Sequence, residues 1–194
     1  MTVGQAQSPE SSVIIRAFNE ERWLPEVFDA LARQTYRDFE VILVDSGSLD
    51  RTRDIAAQHG ATIVQIRSED FTFGHALNVG IRAANGRFMA IISAHAIPAT
   101  EHWLADLVEP LRDELTAMTY GGQRGHALSK FSECNDFVRV FSDRPAVHEI
   151  EDSTFANNAN SAVRRDLWIK HEFDEGLPGL EDLEWARHMS IHGY

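Results

Sequence analysis

Short, nearly continuous apolar runs alternate along the chain with stretches whose apolar residues recur at helical spacing. The runs are Val13 to Phe18, Phe39 to Val44, Thr62 to Ile66 and Phe88 to Ile92. Their β-branched and aromatic character predicts strands covered on both faces. Between the first two, Leu24, Val27, Phe28 and Leu31 form a stripe within Glu20 to Arg33, and Pro25 falls early enough for a first helical turn. Ser48 is expected to cap a helix reaching His59, with Gly60 as its stop. Leu77, Ile81 and Ala84 mark a third helix closed by Gly86. Thr100 is expected to cap a fourth on Leu104, Leu107, Val108 and Leu111, which Pro110 should kink or end. The alternation predicts βαβ units: an α/β, Rossmann-like fold with a mainly parallel sheet flanked by helices.

The second half is less regular. Met118 to Arg124 reads as a strand, Lys130 to Phe141 as a helix, and Phe155 to Val163 as a strand or extended loop. Arg165 to Lys170 and Leu180 to His192 read as helical. Met1 to Ser11 is polar and unpatterned and is expected to be disordered, which leaves one domain over residues 12–194. The acidic group Glu149, Glu151 and Asp152, beside Ser153 and Thr154, reads as a solvated loop.

Composition narrows the function classes. A chain of 194 residues with a net charge of −12 is the size of one domain and is no general nucleic-acid binder, since such binding rests on Lys and Arg. Its apolar runs fall far short of the roughly 20 residues that cross a bilayer. The first ten residues carry neither a basic cluster nor an apolar core of a signal peptide. A single cysteine, Cys134, forms no internal disulfide and reads as a small, partly buried residue, which suits a cytoplasmic setting.

In an open α/β sheet, ligands bind beyond the carboxyl ends of the strands. Those ends carry Arg16 to Glu20, Asp45 to Gly47, and Ser93, Ala94 and His95. No G-x-G-x-x-G or G-x-x-x-x-G-K-[ST] segment follows any predicted strand. Gly121, Gly122 and Gly125 read as a turn or bulge. His188 and His192 are four apart, but Met189 stands where a zinc protease motif needs Glu, and they read as surface residues.

Five segments together resemble a known family: VIIRAFNE (13–20), VILVDSGSLDRT (41–52), ALNVGIRAANG (76–86), NSAVRR (160–165) and FDEGLPGLEDLEWAR (173–187). In this order and spacing they are similar to the motifs of family 2 glycosyltransferases with the GT-A fold. The V-D-S-G-S pattern, with Ala96-Ile97-Pro98 after the fourth strand, is most similar to the rhamnosyltransferase-like branch. The resemblance covers residues 12–194.

It implies transfer of a sugar, hexosyl or deoxyhexosyl, from a nucleotide-diphosphate donor to an acceptor hydroxyl, with inversion. Arg16, Ala17, Phe18, Glu20 and Asp45 match the positions that hold the donor's base and ribose. Asp45 also reads as a turn aspartate before Ser48. The general base falls on Asp182, beside Glu181, at the start of a helix where carboxylates also favour the macrodipole. Asn78 is a candidate for the donor sugar, and Asn158, Asn160 and Trp185 for the acceptor, a saccharide or lipid-linked alcohol. The amides equally suit caps and turns, and the indole suits the core. His75 stays open in the same way.

The sequence departs from the family where Ser93-Ala94-His95 replaces the D-x-D that binds a divalent cation, Mn or Mg, on the diphosphate. His95 reads as a metal ligand, a direct diphosphate donor, or a histidine that satisfies a strand end. Arg16, Arg67 or Arg124 could take the cation's place. At most partial metal dependence is expected. The altered motif also raises a second reading, a GT-A-like scaffold without catalysis. A pyrophosphorylase is disfavoured because no glycine lies in Arg16 to Glu20. Similar enzymes continue past the last helix, so the chain reads as truncated at Tyr194. A cytoplasmic enzyme is expected, at the inner face of the membrane where its acceptor is lipid-linked.

Overall fold

The computed structural model describes residues 8–125, 129–141 and 155–194. Six strands form one sheet: β1 (Ser11–Ala17), β2 (Phe39–Asp45), β3 (Thr62–Gln65), β4 (Phe88–Ser93), β5 (Met118–Tyr120) and β6 (Asn160–Arg164). Their order is β3-β2-β1-β4-β6-β5. The first four pair in parallel, whereas β6 runs antiparallel to both β4 and β5. The helices are α1 (Leu24–Ala32), α2 (Thr52–Gln58), α3 (Phe73–Ala83), α4 (Trp103–Val108), α5 (Phe131–Val140), α6 (Arg165–Trp168) and α7 (Glu181–Ile191).

The pleat divides the core into two layers. Val13, Ile15, Leu43 and Ile92 face α1, α2 and α4, through Leu24, Phe28, Ile55 and Leu104. Ile14, Ile42, Val44 and Ile91 face the opposite layer, where Leu77 and Ile81 of α3 meet Trp168, Phe173 and Trp185. A Cβ on Gly80 would stand 2.6 Å from Ile14 Cγ2 and 2.8 Å from Val44 Cγ2, so glycine lets α3 approach the sheet.

Several boundaries differ from expectation for local reasons. β1 starts at Ser11 because the Ser11 hydroxyl pairs with Tyr36 Oη at 2.9 Å and its amide donates to Asp38 O. The chain is therefore ordered ahead of Val13. Ser48 caps no helix. Its N–H donates to Asp45, its hydroxyl accepts from Asn19 N at 2.9 Å, and α2 begins four residues later. Thr100 offers α4 only its backbone carbonyl, and the cap position is His102. Pro110 does end that helix, which tightens to a 3₁₀ turn over Glu109–Arg112. Thr72, unforeseen, caps α3 by accepting from His75 N at 3.0 Å. The strand expected from Met118 to Arg124 stops at Tyr120. The extended stretch before Val163 becomes strand only from Asn160, where pairing with β4 and β5 begins. The acidic residues 149–152 lie outside the described residues.

Candidate functional site

Sheet order and register bring the expected strand ends together. β1 lies between β2 and β4; the chain runs outward from β1 through β2 to β3 and then crosses back to β4 on the other side of β1, which opens a crevice at the carboxyl end of β1. Because β6 is antiparallel, its first residue, Asn160, sits opposite Ile92 at the same edge. From Asp45 on β2 to Asn160 on β6 is three strand steps, about 14 Å.

The loops after β1 and β2 are tied into one rim. Asn19 adopts a left-handed conformation (φ 55°), its N–H donates to Ser48 Oγ, and its side-chain oxygen accepts from Leu49 N at 2.8 Å. The Glu20 amide donates to Thr52 Oγ1 at 2.7 Å. Asp45 is fully buried and accepts from Ser48 N at 3.2 Å, while Arg53 Nε stands 3.8 Å away. The turn role considered for Asp45 is therefore present. Phe18, half exposed at 52%, stands on this rim.

Glu20 reaches across to β4. His95 Nδ1 donates to Glu20 Oε1 at 2.8 Å, and Nε2 lies 3.1 Å from Ser93 Oγ. Both ring nitrogens are thus engaged, and Ala94 is buried and offers no polar side-chain atom. Manganese and magnesium favour carboxylate oxygens. Here the nearby carboxylate already serves the imidazole, and Ser93 supplies only a hydroxyl. These residues do not fit a carboxylate-held cation, and His95 is met by a partner other than a second metal ligand.

On the α3 and α7 side, Arg16 shares a register position with Ser93. Its guanidinium lies 4.9 Å from the centre of the Phe73 ring and 4.0 Å from Glu181 Oε1. Arg16 Nε and Nη1 are buried without a hydrogen-bond partner. Burial pushes this guanidinium below its ordinary pKa, against the pull of Glu181 and Asp182. Burial likewise pushes Glu181 up, helped by the charge of Asp182 and opposed by Arg16 and Asn158. Asp182, half buried at the first turn of α7, accepts from Asn158 N at 3.0 Å and from Leu183 N at 2.8 Å. Leu180, left-handed at φ 65°, turns the chain into that helix.

The four residues read as candidates for ligand contacts, Asn78, Asn158, Asn160 and Trp185, have partners within the protein. Asn78 is buried, donates to Phe173 O and Glu175 Oε1, and accepts from Trp168 Nε1 and Phe173 N. It pins the chain around residue 173 to α3 and has no capacity left for a sugar. Asn160 accepts from Trp103 Nε1 at 2.7 Å and donates to Gly122 O. Asn158, also buried, takes the Ser161 hydroxyl on its oxygen and reaches Glu181 with its amide nitrogen at 3.4 Å. Trp185 is fully buried against Phe173, its indole N–H bonded to His171 O, so it cannot stack on an acceptor. His75 donates to Glu175 Oε2 at 2.8 Å. Arg67 is paired with Asp70 on the surface. Phe73 was missed; its signal is the Phe71-Thr72-Phe73 segment, whose two rings meet edge to face.

The family model for "Glycosyl transferase family 2" matches residues 12–167. The putative glycosyltransferase EpsH of Bacillus subtilis is 25% identical over 195 residues, covering 92% of this chain and 54% of its own length. An uncharacterized glycosyltransferase of Rickettsia prowazekii is 36% identical over 86 residues, 44% of this chain and 27% of that protein. The chain thus spans about half the length, or less, of these relatives. Among solved structures, the mannosyltransferase PcManGT from Pyrobaculum calidifontis, in complex with GDP-Man and Mn²⁺, superposes with a TM-score of 0.73 at 22% identity, over 97% of this chain and 54% of that one. The expected GT-A architecture is the one observed.

Proposed function

We propose that this chain, which belongs to glycosyl transferase family 2, moves a sugar from a nucleotide-diphosphate donor to an acceptor hydroxyl with inversion, Asp182 acting as the base. The carrying observation is the placement of the Asp182 carboxylate. Two backbone N–H groups hold it at the sheet edge that also bears Arg16, Glu20 and His95.

In this reading Phe18 and Phe73 border the donor's base, and Asp45, buried in the loop, orders the turn beneath its ribose. The diphosphate lies across the ends of β1 and β4. The acceptor oxygen attacks the anomeric carbon while its proton passes to Asp182. The bond from that carbon to the diphosphate oxygen breaks, and the leaving electron pair stays on the phosphate. Arg16, with two unused donors, carries the growing negative charge, as preorganised donors do. PcManGT was solved with Mn²⁺; this chain's own donor set supports at most partial dependence on Mn or Mg. A hexosyl or deoxyhexosyl donor and a saccharide or lipid-linked acceptor complete the reading, with the rhamnosyltransferase-like branch as the first to assay and the cytoplasmic face of the membrane as the setting. No helix of the described residues is long and apolar enough to cross a membrane.

The test is a panel of UDP-, GDP- and dTDP-sugars read by thermal shift, followed by NMR of the product anomer. A donor-specific upshift and an inverted product support the proposal. No shift with any donor, or a retained anomer, overturns it.

A further inference from the structure

We propose that His171, Glu184 and His188 form a cation site, for a borderline divalent metal of the zinc, cobalt or nickel type, which clasps α7 to the turn that closes α6. Glu184, His188 and His192 stand four residues apart and fall along one stripe of α7. His171 comes from a different element. Its backbone N–H donates to Leu167 O and Trp168 O, and its carbonyl accepts from the buried Trp185 indole at 2.7 Å. The His171 ring is thereby held over the stripe.

The resulting geometry is that of a ligand cluster. His171 Nε2 lies 3.1 and 3.3 Å from the two Glu184 oxygens. One ligand atom from each of His171, Glu184 and His188 lies within 4.8 Å of the others, and all three residues are half buried. Among the described residues this is the one such grouping. Ligands about 2 Å from a tetrahedral metal are roughly 3.3 Å apart, so small side-chain rotations close the shell. The His171 and His188 rings stack at 3.6 Å, nearly parallel, and at least one must turn to aim its nitrogen at the ion.

The donor chemistry selects the metal. Two imidazoles and one carboxylate suit zinc, cobalt or nickel, whereas calcium and magnesium take oxygen shells. A shallow cavity of about 380 Å³, lined by Lys170, His188, Met189, His192 and Tyr194, opens beside the cluster and gives an ion and its remaining water a way in. Lys170, which lines that cavity, is hydrogen bonded to Tyr194 Oη at 3.1 Å. Asp182 and Glu184, two positions apart, point about 200° from each other around the helix. The cluster is therefore a separate site from the sugar-transfer edge, and it does not rest on the functional reading given there. A bound ion would fasten the helix that carries Asp182.

The test titrates Co²⁺ into the chain freed of any histidine tag, follows the visible d–d absorption of the complex, and repeats the binding with Zn²⁺ by thermal shift. One equivalent should bind, with an intense tetrahedral spectrum and a Zn²⁺-dependent rise in Tm. His188→Ala and Glu184→Gln should each weaken affinity tenfold or more, while His95→Ala leaves it unchanged. Glu184→Gln keeps side-chain size and decides the matter if His188→Ala does not fold. Absence of saturable one-to-one binding, affinity untouched by Glu184→Gln, or equal loss in His95→Ala overturns the proposal.

Discussion

Arg16 Nη1 stands 4.0 Å from Glu181 Oε1, and neither that nitrogen nor Arg16 Nε has a hydrogen-bond partner. A buried guanidinium with idle donors carries an uncompensated desolvation cost, which an anionic or carbonyl-rich ligand would offset. Arg16→Met should therefore raise the Kd for the nucleotide-sugar by about 10- to 100-fold, from a charged hydrogen-bond contribution of roughly 1.5–3 kcal/mol. Calorimetry on the two proteins checks this. Equal affinities would remove Arg16 from the donor site.

The same pair makes stability depend on pH. Burial and Asp182 raise the folded pKa of Glu181 above its ordinary value of 4.5. The folded chain then holds that proton more tightly than the unfolded chain. The stabilisation is complete below 4.5 and is lost as pH rises through the folded pKa. Glu181→Gln, which stays neutral, should melt a few degrees higher than the parent at pH 7, about 2–4 °C for 1 kcal/mol in a chain of this size. The difference should vanish in melts at pH 4 and below.

Asp182 accepts from Asn158 N on Oδ2 and from Leu183 N on Oδ1, so an amide of the same shape keeps one of the two bonds through its oxygen. Asp182→Asn should fold and bind donor as before, yet lose about 10²- to 10⁴-fold in kcat, the usual contribution of a general base. Single-turnover assays with saturating donor measure it. Retained turnover would assign the proton elsewhere.

Much of the parallel half was legible in the chain because β1, β2 and β4 are buried on both faces and write their pattern as unbroken apolar runs. Less of the site was legible, for reasons particular to its side chains. An asparagine offers the same two donors and two acceptor lone pairs to a sugar or to a backbone, and Asn78 and Asn160 spend theirs on the protein itself. Ser48 looks like a helix cap, but the sharp bend at Asn19 brings its hydroxyl a tertiary partner. The histidine cluster hides because His171 is 17 positions before His188. The turn that closes α6 and the Trp185 indole bonded to His171 O bring them together in the fold.

Trp185 and Asn78 separate packing from recognition. Trp185→Phe removes the indole N–H that satisfies His171 O and leaves a void against Phe173. Asn78→Ala strands Trp168 Nε1, Phe173 N and Phe173 O in the interior. Each should destabilise the fold by about 2–4 kcal/mol, as cavities and unsatisfied buried groups do. Below their melting temperatures both should keep the parent's KM for donor and acceptor. Denaturant melts alongside steady-state kinetics distinguish the two effects.

His95 supplies the last comparison. Its Nδ1 is bonded to Glu20 and its Nε2 faces Ser93, an arrangement that orders the strand end without gathering the paired carboxylates that hold manganese. Removing divalent ions with a chelator should therefore lower kcat/KM by less than tenfold. His95→Ala should lower it by tenfold or more, since Glu20 and Ser93 lose the ring that holds them at the strand end. Glu20→Gln, which keeps a hydrogen bond to the ring, should fall between the parent and His95→Ala. A chelator that abolishes activity while His95→Ala leaves it intact would reverse this assignment, because the cation would then be held by residues other than the Ser93 to His95 turn.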